Sequence, residues 1–165
     1  MDDSARRWQG IQRFAAEAGL KLDTSLTCQL PDSVDPTSSF EGGLRLTSEL
    51  IEGKAEFSAI IAFDDLTALG VMRALWMAGR RIPDDCSVIG FDDVPQAALS
   101  TPGITTIRQP MLEMGSLAAS LVLEAITPSS EPDTKDSLLE QLPPELVQRD
   151  STRKLARHSG AIARF

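Results

Sequence analysis

The chain has 165 residues, 42% hydrophobic and 24% charged, a composition typical of an ordinary globular domain with one core. Its formal net charge of −8 argues against a surface that binds nucleic acid through clustered lysine and arginine. Two cysteines without CxxC spacing and a single histidine exclude a metal cluster of familiar spacing, and we expect no metal and no cofactor.

The first third of the chain predicts two amphipathic helices with a short strand between them. The first helix is predicted from Asp3 to about Ala18, because apolar residues recur at helical spacing within this range and Gly19 supplies a stop. A strand is predicted at Leu26 to Leu30. The residues Ser38 to Glu41 have the form of a capping box, which predicts a second helix from Ser38 to Gly53.

The middle of the chain predicts a β-α-β unit. Two nearly continuous apolar runs, Phe57 to Phe63 and Cys86 to Phe91, flank a predicted helix from Leu66 to Ala78. Because strands that are apolar on both sides belong to a covered parallel sheet, we predict an α/β fold with helices on both faces of the sheet. Further along, the pattern predicts a strand at Ile104 to Ile107, a helix from Pro110 to about Ile126 and a strand at Glu145 to Arg149.

Both apolar runs end in paired carboxylates, Asp64-Asp65 and Asp92-Asp93. In an open parallel sheet a ligand binds outside the carboxyl ends of the strands, and a carboxylate suits a neutral polyhydroxy or amide-bearing ligand. The same acids can instead cap the helix or turn that follows each strand. We predict ligand contacts for Asp64 and Asp92 and structural roles for Asp65 and Asp93.

Paired carboxylates also occur in hydrolases, so an enzyme is an alternative. The sequence has no Ser-His or Cys-His arrangement that would supply a nucleophile, because its one histidine, His158, lies near the C-terminus. Its glycines do not form a phosphate-binding loop. We therefore expect no enzymatic activity.

The predicted helix from Leu66 to Ala78 is apolar nearly all round. One stripe of such a helix covers the sheet, and the rest belongs either to a deeply buried helix or to an interface. We expect an interface, because a chain of this length is too short to bury every face of a helix. The predicted homodimer contact is the face that carries Leu69, Met72 and Trp76.

Four short segments in the middle of the chain occur in a characteristic order and spacing. They are Asp64-Asp65 followed by Ala68-Leu69-Gly70, then Arg81-Ile82-Pro83-Asp84, then Ser87-Val88-Ile89-Gly90-Phe91-Asp92-Asp93, and then Thr105-Thr106-Ile107-Arg108-Gln109-Pro110. Together they strongly resemble the ligand-binding module of LacI/GalR-type transcription regulators. Arg7-Trp8-Gln9-Gly10 and the stretch from Leu142 to Thr152 extend the resemblance to roughly residues 3 to 152.

The resemblance implies a sensor domain of periplasmic-binding-protein type, in which two α/β lobes close on a small effector such as a sugar or purine. Residues 1–109 then correspond to the second lobe, 110–150 to a helix and strand that return to the first lobe, and 151–165 to a polar tail. We expect the chain to lack the DNA-binding helix-turn-helix and most of the first lobe. The helix and strand of 110–150 would then fold back, exchange with a twin chain or stay mobile.

The resemblance also implies which residues act. Arg7, Asp64 and Asp92 match effector-contacting positions, Gln109 matches a hinge-side position, and Leu69 and Met72 match the dimer-forming helix. The expected function is the effector-binding and dimerisation part of a cytoplasmic transcription regulator, which reaches operator DNA only through its N-terminal domain and has no membrane contact. The alternative is a sugar-binding protein of a transport system, which shares the fold.

Overall fold

The computed structural model describes residues 3–20, 22–30, 37–126 and 141–154. The regular elements, in chain order, are α1 (Asp3–Glu17), a 3-10 turn (Thr24–Leu26), α2 (Thr37–Glu52), β1 (Ala59–Ile61), α3 (Asp65–Met77), β2 (Ser87–Ile89), α4 (Pro95–Leu99), β3 (Thr106–Arg108), α5 (Met111–Ile126) and β4 (Glu145–Val147). All four predicted helices and four of the five predicted strands are confirmed within a few residues. The short helix α4 has no counterpart among the predicted elements.

The strands lie in the order β1-β2-β3-β4. β1 and β2 are parallel, with Ile60 opposite Val88, and β3 and β4 are antiparallel. Isolated parallel bridges join β2 to β3. The predicted α/β fold with a parallel sheet is confirmed, and the carboxyl ends of β1, β2 and β3 lie along one edge of that sheet.

The core lies between α3 and the sheet, and α2 covers the other side of α3. Leu75 of α3 and Val88 of β2 are fully buried. The backbones of α2 and α3 touch at Gly70, where a Cβ atom would overlap the carbonyl oxygen of Phe40 and crowd the nitrogen of Leu44. Much of the apolar surface of α3 is therefore covered by α2 within the same chain.

The strand predicted at Leu26 to Leu30 is wrong. A 3-10 turn occupies its start, where the carboxylate of Asp23 accepts hydrogen bonds from the backbone nitrogen of Ser25 at 2.9 Å and from its hydroxyl at 2.7 Å. Residues 27–30 have no regular structure. A strand needs a neighbour for its N–H and C=O groups, and none of the described strands runs beside this segment.

The C-terminal segment folds back onto the sheet through β4 and Ser151. The backbone nitrogen of Val88 donates to the carbonyl of Ser151 at 2.9 Å, and the Ser151 hydroxyl donates to the carbonyl of Val88 at 2.6 Å. The nitrogen of Thr105 donates to that hydroxyl at 2.8 Å. Ser151 was predicted to open a polar tail, but it is fully buried because it bridges β2 and the residue before β3.

In contrast, α5 buries none of its residues, although several are large and apolar. Of the three fates expected for residues 110–150, β4 has folded back onto the sheet of its own chain, and no residue of α5 is buried. Across the residues that the structure describes, no helix is both long and apolar enough to cross a membrane.

Candidate functional site

Arg7 reaches from α1 to the carboxyl ends of β1 and β2. Its guanidinium lies between two phenyl rings, 4.4 Å from the centre of Phe63 and 4.3 Å from that of Phe91. Its Nη1 also donates to the carbonyl of Phe63 at 2.7 Å. The stacking fixes a positive charge and a set of N–H donors at the edge where a ligand is predicted to bind.

Asp92 and Gln109 meet beside this stack. Nε2 of Gln109 donates to Oδ1 of Asp92 at 2.5 Å, and the backbone nitrogen of Asp92 donates to the carbonyl of Ile107 at 2.8 Å. Asp92 has a φ of 101°, in the left-handed region that non-glycine residues rarely adopt. The structure thus brings three of the four predicted ligand residues, Arg7, Asp92 and Gln109, to the ends of adjacent strands.

Asp64 lies at the same edge but has a capping contact. Its Oδ1 accepts a hydrogen bond from the backbone nitrogen of Thr67 at 2.6 Å and so caps the N-terminus of α3. The cap uses one of its two carboxylate oxygens, and the side chain is half-buried. The capping alternative therefore applies to Asp64, and its contact with a ligand stays a prediction.

Asp65 is buried and joins α3 to two other segments by hydrogen bonds instead of capping a helix. Its Oδ1 accepts from the hydroxyl of Thr106 at 2.6 Å, and its Oδ2 accepts from the nitrogen of Val94 at 2.9 Å. It passes so close to Gly90 that no Cβ atom fits there. Burial raises the pKa of Asp65, and the charges of Asp92 and Asp93 add to this rise against the two hydrogen bonds. The predicted structural role of Asp65 is confirmed.

Asp93 joins the turn after β2 to the C-terminal segment. Its carboxylate accepts from Nε of Arg108 at 2.7 Å and from Nη2 of Arg149 at 2.5 Å. Burial opposes ionisation of Asp93, but the hydrogen bonds and charges of the two arginines outweigh it and lower its pKa. Both arginines belong to segments that carried the family resemblance, but the sequence analysis did not predict an ion pair for either of them.

The predicted dimer residues differ in exposure. Met72 is only 7% exposed and belongs to the core, and Leu69 packs partly against that core. Trp76 is 67% exposed, and the guanidinium of Arg73 lies 4.6 Å from the centre of its ring. Within one chain, therefore, Trp76 is the most accessible of the three.

The site offers hydrogen-bonding groups rather than reactive ones. No group of three or more histidine, cysteine or acidic side chains among the described residues is placed to hold a metal ion. The thiol of Cys86 is buried, which raises its pKa to about 11 and keeps it protonated near neutral pH. An open groove of about 360 Å³ adjoins the site at Phe91 and Gln109, with apolar side chains of α5 on its other wall.

The parallel sheet and its helices form an α/β fold of the periplasmic-binding-protein class. The sequence profile of the family described as a periplasmic binding protein-like domain matches residues 2–152, and the chain belongs to that family.

Named relatives are bacterial regulators. The ribose operon repressor of Escherichia coli (strain K12) is 34% identical over 147 residues, which are 88% of this chain and 41% of the repressor. The HTH-type transcriptional repressor PurR of Haemophilus influenzae (strain PittEE) is 31% identical over 149 residues, 90% of this chain and 42% of that protein.

Among solved structures, the complex of the transcriptional regulator CelR with cellobiose superposes with a TM-score of 0.76 and 28% identity, over 89% of this chain and 42% of CelR. The predicted relationship to LacI-type regulators is confirmed by these matches. These proteins are repressors and a regulator rather than enzymes, in agreement with the expected absence of enzymatic activity. The chain spans about two fifths of the length of the curated relatives it matches.

Proposed function

We propose that the chain is the effector-sensing and dimerisation part of a cytoplasmic transcription regulator and that its effector is a sugar. The observation that carries this proposal is the cluster of Arg7, Asp92 and Gln109 at the carboxyl ends of adjacent strands. The cluster offers guanidinium donors, carboxylate acceptors and an amide, which match the hydroxyl groups of a neutral sugar. The named relatives, a ribose operon repressor and a regulator solved with cellobiose, support the same class of ligand.

Residues 1–109 are proposed to form one lobe of the sensor, and α5 an element that packs on the other lobe. We assign operator binding to a part of the regulator outside this chain, because the net charge of −8 opposes contact with a polyanion. Duplex DNA should therefore bind this chain only weakly and with strong dependence on salt. Tight binding that depends on the DNA sequence would contradict this assignment.

Calorimetric titration with D-ribose and with cellobiose tests the effector site. We expect weak binding by this chain, because one lobe leaves a ligand exposed to water. The variants Arg7→Ala, Asp92→Ala and Gln109→Ala should each weaken it about tenfold or more, since each removes a group that would hydrogen-bond to the ligand. Arg13→Ala is the matched control, because Arg13 lies on the same helix, is itself exposed and pairs with exposed Glu17.

Two results would count against the effector proposal. Absence of binding by both sugars would reject a sugar effector of these kinds for the chain. Binding that is unchanged in all three site variants would place the effector elsewhere on the molecule.

We propose that two copies associate through the exposed face of α3, with Trp76 and Leu69 in contact and Met72 supporting them from within the core. Burying large apolar side chains of this face stabilises a dimer by roughly 1.5–3 kcal/mol for each. Sedimentation velocity should show a dimer for the wild type and a monomer for Trp76→Asp. Phe14→Asp changes an equally exposed aromatic residue on α1 and should leave the dimer intact; a monomeric wild type at high concentration would refute this interface.

A further inference from the structure

The backbone that presents Asp92 is unusual. Asp92 and the adjacent Asp93 have φ values of 101° and 58°, and neither is a glycine. Two consecutive non-glycine residues in this region persist only where surrounding contacts hold them. The side chain of Asp92 points to Gln109 because of this turn, so whatever holds the turn also orients the candidate effector contact.

We propose that Arg149 is a positioning residue for the effector site and that it acts through Asp93 to hold the turn in place. The inference rests on the proposed function in one respect, namely that Asp92 is taken as an effector contact. Arg149 lies 56 residues after Asp93 in the chain and does not touch Asp92 in the described contacts. Its role would make the C-terminal segment part of the framework of the site.

The contacts of Arg149 fix both its own position and that of Asp93. Its Nη2 donates to Oδ1 of Asp93 at 2.5 Å while its Nη1 donates to the carbonyl of Ile104 at 2.8 Å. Arg108 holds the other carboxylate oxygen, so neither oxygen of Asp93 can rotate away without loss of a charged hydrogen bond. The Asp93 side chain is 9% exposed and that of Arg149 19%, which limits replacement of these bonds by water.

The segment that carries Arg149 is itself anchored. The nitrogen of Arg149 donates to the hydroxyl of Thr105 at 3.0 Å, and the next two backbone nitrogens donate to the carbonyl of Gly103. The side chain of Arg149 packs over Gly103, where a Cβ atom would come within 3.3 Å of its Cδ. Arg108 is more exposed and divides its donors between Asp93 and Glu145, so Arg149 is the more firmly held of the two arginines.

Asp65 holds the same turn from the opposite side, through the hydrogen bond that it accepts from Val94. The turn is therefore held by Asp65 in the core, by Arg108 of β3 and by Arg149 in the C-terminal segment. Removal of Arg149 should loosen the turn without unfolding the body, because the bond from Val94 to Asp65 remains.

The test uses nuclear magnetic resonance on the full chain without any ligand. In Arg149→Met, which keeps a long apolar side chain, the amide of Asp92 should exchange with solvent about tenfold faster or more. The side-chain amide resonances of Gln109 should move toward those of a free glutamine. Arg149→Lys should show a smaller change, because one ammonium cannot serve both acceptors with the same geometry. Arg153→Met, a change at a neighbouring exposed arginine, is the matched control and should alter neither signal.

The amides of Val71 and Leu75 in the core separate positioning from a general loss of stability. Faster exchange at Asp92 with unchanged protection in α3 supports the proposal. Equal acceleration at Asp92 and in α3, or no change at Asp92 and Gln109, would overturn it. If Arg149→Met does not fold, Arg108→Gln removes the more exposed donor to Asp93. It should give a smaller increase in amide exchange, confined to residues 91–94, and the absence of that increase would also overturn the proposal.

Because no sugar is present, failure of sugar binding would reject the proposed function without affecting this result.

Discussion

Two helices of the molecule, α3 and α5, are both strongly apolar, but they differ in what covers them. Eight of the 13 residues of α3 are buried, whereas none of the 16 residues of α5 is. α3 lies between the sheet and α2, and its Gly70 lets the backbone of α2 approach closely. An apolar pattern therefore predicts that a helix will be covered but does not identify the covering element.

The difference also has an energetic meaning. A helix of about 16 residues is marginal in water unless a tertiary partner packs on it. The exposed apolar residues of α5 therefore contribute little to the stability of this chain, while those of α3 contribute much of it. Matched substitutions in the two helices test this directly.

The largest effect is expected for Leu75→Ala in α3. Leu75 is fully buried, so the change removes apolar contacts and leaves a cavity, which should lower the free energy of unfolding by about 2–5 kcal/mol. Leu112→Ala, at a leucine of α5 that is 80% exposed, should change it by less than about 0.5 kcal/mol. Urea unfolding followed by circular dichroism measures both; similar losses in the two variants would mean that α5 is covered in solution.

Replacing one glycine in each helix should change stability by smaller amounts, with opposite signs in α3 and α5. Gly70→Ala places a methyl group against the backbone of α2 and should destabilise the chain by about 1–3 kcal/mol. Gly115→Ala in α5 meets nothing within 4 Å and should stabilise that helix by about 0.5–1 kcal/mol, because alanine loses less backbone entropy in a helix. Thermal unfolding of both variants checks the signs, and destabilisation by Gly115→Ala would place a close neighbour against α5.

Most elements were predictable because their signals are local. The apolar runs that end in Asp64 and Asp92 predicted β1 and β2, and Gly19, with a φ of 67°, ends α1 as a glycine stop predicts. The strand at Leu26 failed because strand formation depends on a neighbour that the local pattern does not specify. The five residues of α4 are too few to show a helical period.

The candidate site was predictable in part. Paired acids at strand ends indicated Asp92, and the family resemblance indicated Arg7 and Gln109. The stacking of Arg7 between Phe63 and Phe91, and the bond from Arg149 to Asp93, join residues 56 or more positions apart. Such pairs depend on the order of the strands, so no local pattern could identify them.

The smallest expected effect on stability concerns an exposed ion pair in the loop that follows α3. It shows how little a surface charge pair contributes to stability compared with the buried side chains of α3. Arg81 holds Asp85 by hydrogen bonds from its guanidinium and its backbone nitrogen, which lower the pKa of Asp85 from 3.8 to about 2. A lowered pKa in the folded state stabilises the fold fully above 3.8, and this contribution is lost as the pH falls from 3.8 through about 2. Arg81→Gln should therefore raise the pKa of Asp85 toward 3.8, lower the stability slightly above that pH and flatten the loss of stability below it; both changes are small because the pair is exposed to solvent. Titration of the Asp85 carboxyl carbon by nuclear magnetic resonance measures the shift, and Arg45→Gln, which breaks an exposed pair with Glu49 on α2, should leave it unchanged. An Asp85 pKa that stays near 2 in Arg81→Gln would show that the guanidinium is not its cause.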